Sequence, residues 1–312
     1  MKPTFGSLFA GIGGFDMGME QANWECKFQV EWDKHCRSVL DHHWPDVQKW
    51  GDIKNVNGRF LPPVDCIIFG SPCQDLSNNS GSSGLGLEGS KSGLFFEAIR
   101  IIKEMRDATG NTFPRWAIWE NVAGALNSSK GADFGKVLDS MAEAGAVVIE
   151  WKLLDSKYFG IPQCRRRVFV AAGFPSDTTN PSTSQIFPVN NCNKRDINKG
   201  TEKMFYRSHG SQDAFQTGFS PPVKRISAVC VTSETLRPRQ LTPIELERLQ
   251  GYPDDHTRWN SDLTEQSDSQ RIKQCGNGVT TPVAKWVGEQ LINAHHNIYP
   301  SLHKSRTVQS TE

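Results

Sequence analysis

The chain has 312 residues, 37% of them hydrophobic, with 35 basic side chains against 34 acidic ones and a formal net charge of +1. That length buries a full core and predicts two domains of unequal size, and the near-neutral charge leaves any nucleic-acid footprint to local clusters such as Arg165-Arg166-Arg167, Lys194-Arg195 and Lys224-Arg225. Eight cysteines lack paired metal spacing, no signal sequence precedes Thr4 and no apolar run approaches membrane length, which predicts a cytoplasmic protein with reduced thiols, no metal and no membrane association.

Thr4 to Phe9 reads as a strand that runs into Ala10-Gly-Ile-Gly-Gly-Phe15, followed by a helix from Met17 to Ala22. Strand, glycine-rich turn and helix open many nucleotide-binding α/β sheets, because glycine lets backbone approach a ligand and the helix start offers free N–H groups. The spacing is not the dinucleotide fingerprint and no Lys-Ser/Thr follows, so the turn alone reads equally as a plain tight turn. The next strand, Cys26 to Val30, ends in Glu31-Trp32-Asp33, where an acid is placed to accept from ribose hydroxyls and Trp32 to pack on a purine or ribose. A helix from Lys34 to His42 leads to the segment Val47 to Ile53, whose Asp52 would stand at a third strand-end.

Cys66 to Phe69 is a short apolar strand broken by Gly70 and Pro72, with Cys73 at the turn. Proline fixes φ and has no N–H, so it ends the strand and stiffens the backbone before the thiol. The Gly-, Ser- and Asn-rich stretch from Ser77 to Gly93 suits a loop that covers a nucleophile once its substrate is bound. Leu94 to Met105 has helical periodicity, and Trp116 to Trp119 reads as a buried strand ending in Glu120-Asn121-Val122. A carboxylate at a buried strand-end is costly unless used, and Glu120 has no cationic neighbour in sequence. Asp133 to Ala144 reads as a helix, Val147 to Leu154 and Val168 to Ala171 as strands. Between those strands, alternation turns Gln163, Arg165 and Arg167 to one side, converging on a base or phosphate.

From Gly173 to about Arg237 the chain is rich in Pro, Ser, Thr and Asn, which predicts a small irregular β-containing module. Pro243 to Gln250 is a helix with Thr242 as N-cap and proline in its first turn. Arg271 to Val283 contains Gly276-Asn-Gly-Val279, a last helix follows to about His295, and Ser301 onward reads as a polar tail.

Taken together, these motifs resemble the DNA (cytosine-5)-methyltransferase family, in family order over nearly the whole chain outside 173–237. Phe9-Ala-Gly-Ile-Gly-Gly14 is similar to the first family motif, Gly70-Ser-Pro-Cys-Gln74 to the nucleophile motif and Glu120-Asn-Val122 to the acid motif. Gln163-x-Arg165-x-Arg167 resembles the arginine motif, Arg239-Gln-Leu-Thr-Pro243 with Arg248-Leu-Gln-Gly-Tyr-Pro253 the motif supporting the recognition domain, and Gln274-Cys-Gly-Asn277-Gly-Val279 the last motif. The resemblance implies an α/β, Rossmann-like S-adenosylmethionine-dependent methyltransferase sheet with a smaller, irregular target-recognition domain. The catalytic domain would take residues 1–172, completed by 271–300, the reader 173–270, and the tail 301–312. Catalysis would fall to Cys73, Glu120 and Arg165, with Pro72, Asn121 and Arg167. S-adenosylmethionine would be held by Phe9, Ala10, Gly11, Gly13, Gly14, Glu31, Trp32, Asp52, Ile53, Asn277 and Val279. Gln74, Ser77, Lys91, Gln163, Arg225 and Arg239 would meet double-stranded DNA, from which a monomeric enzyme flips the target cytosine, with a cognate restriction endonuclease acting separately. In this chain Asn78-Asn-Ser-Gly-Ser-Ser-Gly84 lacks the basic or bulky residues family members carry there, leaving Lys91 as the loop's one cation. The same motifs occur in an RNA-methylating branch and in inactive DNA-binding relatives, and both readings stay open at this point.

Overall fold

The computed structural model describes residues 2–72, 93–176, 181, 185–187, 230–232 and 238–298. Seven strands form the central sheet: β1 Thr4–Leu8, β2 Glu25–Val30, β3 Gln48–Trp50, β4 Cys66–Phe69, β5 Trp116–Val122, β6 Val148–Asp155 and β7 Arg166–Gly173. Their order is β3-β2-β1-β4-β5-β7-β6. The first five are parallel, and β7 is inserted antiparallel to both β5 and β6. The sequence-predicted α/β sheet is therefore present, with the chain order reversing between β1 and β4. Ligands of open α/β sheets bind outside the strands' carboxyl ends at such a switch point.

Both faces of the sheet are covered, which is why its central strands read as unbroken apolar runs. Side chains alternate across it with period two. Ile67 and Phe69 of β4 and Ala117 and Trp119 of β5 face a core closed by helices α3 (Leu94–Ala108) and α4 (Ala132–Glu143). Cys66, Ile68, Trp116 and Ile118 face the opposite core, closed by α1 (Gly14–Gln21) and a C-terminal helix, Thr281–Ile298. That helix returns to the first domain's sheet: Trp24 Nε1 donates to the Gly288 carbonyl (3.0 Å) and Trp116 Nε1 to His295 Nδ1 (3.3 Å).

Three more helices complete the described chain around the site. α2 is Lys34–His43, α5 is Pro243–Gln250 and α6 is Asp268–Asn277, so the C-terminal helix is α7. A two-stranded antiparallel ribbon, β8 Cys230–Thr232 with β9 Pro238–Gln240, lies between. Two findings bear on the domain boundaries read from sequence. Ile186 and Phe187 are buried in the α1–α7 core, their N–H groups donating to the two carboxylate oxygens of Glu150 on β6 (3.0 and 2.9 Å). Leu246, Leu249 and Tyr252, expected within the smaller domain, share a cluster with Ile12 and Val39 beside the glycine turn. α6 is an addition to the elements expected from sequence, which shows only the Gly276–Val279 motif in this region.

Candidate active site

The site is built where β1, β2, β4 and β5 end. Beyond β1 the backbone turns sharply through Phe9 (φ 56°), Gly11 (φ 57°) and Gly13 (φ 79°). A left-handed phenylalanine costs on the order of 1–2 kcal/mol, and such strain persists only where surrounding structure over-determines it. The turn is closed by Gly13 N–H on the Ala10 carbonyl (2.9 Å) and tied to β2 by Ala10 N–H on the Val30 carbonyl (3.1 Å). The two glycines differ in purpose. A Cβ on Gly13 would lie 2.4 Å from the Trp44 ring, whereas a Cβ on Gly11 would meet nothing within 4 Å, so the turn is packed from below at Gly13 and open at Gly11.

Glu31, at the end of β2, accepts from the N–H groups of Gly11 and Asp33, both at 2.8 Å. Burial raises its pKa, and those two bonds oppose the rise. Arg37 donates to the carbonyls of Glu31 (2.8 Å) and Trp32 (2.7 Å) and so fixes the strand-end, leaving the Trp32 side chain 76% exposed. Asp33 caps α2 through His35 N–H (2.8 Å) and pairs with Lys273 of α6 (3.4 Å). Asp52 caps a one-turn 3₁₀ helix, Ile53–Asn55, accepting from Lys54 N–H (3.0 Å). The Ile53 side chain, in contrast, is buried in the α3–α4 core.

A cleft opens at the ends of β1, β4 and β5, and Glu31, Trp32, Asp52 and Ile53 are not among its lining residues. Phe9, Ala10, Gly11 and Gly14 line it from the glycine turn, Gly70 and Glu120 from β4 and β5, and Asn277 and Val279 from the segment after α6. Glu120 is 8% exposed, and its Oε1 lies 3.1 Å from Arg167 Nε. Burial is the larger influence and raises its pKa, against the opposing charges of Arg167 and Arg165. A buried carboxyl with a raised pKa, held at a cleft wall, can donate a hydrogen bond to a substrate. The residues preceding Cys73 are anchored to the same strand: Trp119 Nε1 donates to Ser71 Oγ (3.0 Å) and Asn121 Nδ2 to the Ser71 carbonyl (3.3 Å). Pro72, half-buried, follows directly.

Residues 3–219 and 176–293 match the family model of the C-5 cytosine-specific DNA methylases. The chain belongs to this family. As a member it is an enzyme of the DNA (cytosine-5)-methyltransferase class. Similar curated proteins include the Type II methyltransferase M2.BsuMI of Bacillus subtilis strain 168, 29% identical over 91% of this chain and 74% of that protein. The Type II methyltransferase M.HhaI of Haemophilus parahaemolyticus is 26% identical over 91% of this chain and 92% of its own length. Among solved structures, the Entamoeba histolytica methyltransferase EhMeth superposes with a TM-score of 0.64 at 15% identity, covering 94% of this chain and 98% of that one. The S. pombe Dnmt2 methyltransferase gives 0.63 at 15% identity, covering 94% and 99%. At such identities the structural likeness speaks for the fold.

In this cytosine-5 methyltransferase the arginine segment alternates as expected: Gln163, Arg165 and Arg167 turn inward and Arg166 outward. Two of the three have protein partners. Arg165, 3% exposed, donates through Nη2 to the carbonyls of Gly276 (3.3 Å) and Gly278 (2.7 Å), tying β7's approach to the Asn277–Val279 segment. Arg167 pairs with Glu120. Gln163 is 0% exposed, and neither of its amide atoms has a hydrogen-bond partner among the described residues. Cys73, Gln74, Ser77, Lys91 and Arg225 lie outside the described residues, and of Arg239 only the backbone, in β9, is described. Two buried polar groups near the cleft had not been singled out from sequence, Ser7 with Asp16 and His256. Both work through contacts between distant segments, and neither has a local sequence signature.

Proposed function

We propose that this enzyme transfers a methyl group from S-adenosylmethionine to carbon 5 of a flipped cytosine in a specific double-stranded DNA sequence, through a covalent adduct at Cys73. One observation carries the reading: Glu120, buried with Arg167 beside it, shares a cleft with the glycine turn, and its strand anchors the Ser71-Pro72 segment that leads into Cys73. Carbon 5 of cytosine is a weak nucleophile. A thiolate at Cys73 forms a bond to carbon 6, and the displaced electron pair makes carbon 5 able to attack a methylsulfonium. In its protonated form, which burial favours, Glu120 donates to the ring nitrogen and stabilises the addition product. Loss of the carbon-5 proton to a base then returns the electron pair to the ring and expels the Cys73 thiolate. A cationic neighbour lowers a thiol's pKa and would favour the thiolate at the outset.

The residues fit S-adenosylmethionine, which supplies an electrophilic methyl when bound. Gly11 leaves open space where any side chain would intrude, and Glu31 presents a carboxylate at the strand-end suited to hydroxyl groups. Phe9, Ala10, Gly11, Gly13, Gly14, Glu31, Trp32, Asp52, Asn277 and Val279 would hold it, with Ile53 contributing backbone alone. A duplex conceals its bases, so the base must leave the stack to reach such a cleft. Gln74, Ser77, Lys91, Arg225 and Arg239 would contact the DNA, the cations chiefly at phosphates. The reader domain would span about 188–237, a reading supported by the packing of Ile186 and Phe187, and of Leu246, Leu249 and Tyr252, on the larger unit. The enzyme would act as a monomer, with a cognate restriction endonuclease working separately.

A duplex carrying 5-fluorocytosine at the target tests this, because fluorine cannot leave as a proton does. The expected result is a donor-dependent covalent complex whose modified peptide contains Cys73, absent in Cys73→Ser. An active enzyme that forms no adduct, or forms it at another residue, overturns the proposal.

A further inference from the structure

Three aromatic rings stack beneath the glycine turn, and the chemistry above makes no use of them. His256, 2% exposed, lies between Tyr252 (centroids 4.6 Å apart, planes 8°) and His43 (4.1 Å, 11°). Its Nε2 is 2.8 Å from the carbonyl oxygen of Ile12, the residue between the left-handed Gly11 and Gly13. A carbonyl can only accept, so Nε2 bears the proton and Nδ1 is bare. Nδ1 is buried without a hydrogen-bond partner, and burial pushes the imidazole's pKa down to about 3. The ring is thus neutral and held in one tautomer. The stack is fixed at both ends: His43 Nε2 lies 2.7 Å from the His256 carbonyl, and the Tyr252 hydroxyl donates to the Val279 carbonyl (3.4 Å) on the cleft's other wall. Trp44, whose ring packs under Gly13, meets His256 edge-on at 6.4 Å.

A turn with two left-handed glycines has little intrinsic stiffness. Its internal bond, Gly13 N–H to the Ala10 carbonyl, holds one end of the Ile12–Gly13 peptide, and the carbonyl end of the same peptide is held by His256. We propose that His256 is a positioning residue for methyl-donor binding: by donating to the Ile12 carbonyl from a stacked ring, it anchors the second end of the Ile12–Gly13 peptide and so keeps the flanking Gly11 and Gly14 aimed into the cleft. The proposal rests on the reading that this turn holds the donor.

The test compares His256→Phe, which keeps the stack and loses the donor, with His256→Gln, which restores an N–H. The full-length variants are measured by calorimetry for S-adenosylmethionine affinity, with duplex DNA affinity and Tm alongside. His256→Phe is expected to weaken donor binding about tenfold, equivalent to about 1.4 kcal/mol, with DNA affinity within twofold of wild type. His256→Gln should recover most of the loss. Donor affinity unchanged in His256→Phe, or equal losses in His256→Phe and His256→Gln, overturns the positioning role. Should the variants fail to fold, ¹⁵N-histidine spectra of the wild type still decide: a neutral Nε2–H tautomer supports the assignment, and an Nδ1–H tautomer or imidazolium overturns it. The underlying donor-site reading is judged separately, by whether Glu31→Ala weakens the same binding. If it does not, the site reading fails whatever His256 does.

Discussion

Directly behind the glycine turn, Asp16 is a carboxyl group with no solvent contact. Ser7 Oγ (3.0 Å) and Gln29 Nε2 (2.9 Å) donate to it, joining β1, β2 and α1. Burial outweighs those bonds and raises its pKa from 3.8 to about 6. The sign for stability follows from proton binding. Between pH 4 and pH 6 the folded state holds more protons than the unfolded chain, so this group's contribution falls as pH rises through that window. Above pH 6 the buried anion costs roughly 3 kcal/mol relative to the protonated form. Asp16→Asn, which keeps an acceptor and adds no charge, should flatten the pH dependence of urea unfolding between pH 4 and 6 and should not destabilise the protein at pH 8. A pH slope unchanged in the variant would show that another group is responsible. Asp16 was invisible in the sequence because an acid in the first helical turn is commonplace, and its donors come from two other strands. Glu120 was legible, being a carboxylate after an apolar run. Its partner Arg167 was not paired with it, because only the antiparallel register, with Val122 opposite Arg167, brings the two together.

The helices show the same division between local and distant signals. α5 has the bounds read from sequence, Pro243–Gln250, because its signals are all local. Thr242 and Glu245 form a reciprocal capping box, proline fills the first turn, and Gly251 ends the helix at φ 77°. α6 was missed because its buried face is Arg271, Gln274 and Cys275, which has no apolar periodicity to read. Its burial is made tolerable by a network from α5 and the loop after it. Arg271 Nη2 reaches Glu247 (3.0 Å) and Asp255 (3.1 Å), while Glu247 also accepts from the N–H groups of Asp255 (2.8 Å) and Thr257 (2.9 Å). Arg271→Ala would strand a fully buried Glu247 carboxylate, so chemical denaturation should show a loss of about 3–5 kcal/mol. A loss below about 1 kcal/mol would mean that Glu247 is satisfied without the arginine. Because α6 leads into Asn277–Val279, donor affinity in this variant should fall together with stability.

For the molecule as a whole, the sheet was readable from sequence, since the signals of its seven strands lie in the chain's local pattern. The extent of the proposed reader was not. The compositional change at Gly173 coincides with the end of β7, but the chain stays docked on β6 through Glu150 at Ile186 and Phe187, a contact that composition cannot reveal. Exchanging residues 188–237 for the equivalent segment of a relative with another target should transfer the methylated sequence while leaving donor affinity unchanged. An active chimaera that keeps the original sequence would place the reader elsewhere. The central claim concerns the product. Purified enzyme with methyl-labelled S-adenosylmethionine, unmethylated duplex DNA and, separately, transfer RNA should be followed by nucleoside digestion and mass spectrometry. The account predicts label in 5-methyl-2′-deoxycytidine from the duplex; label on an exocyclic amine, or label confined to the RNA, would contradict it.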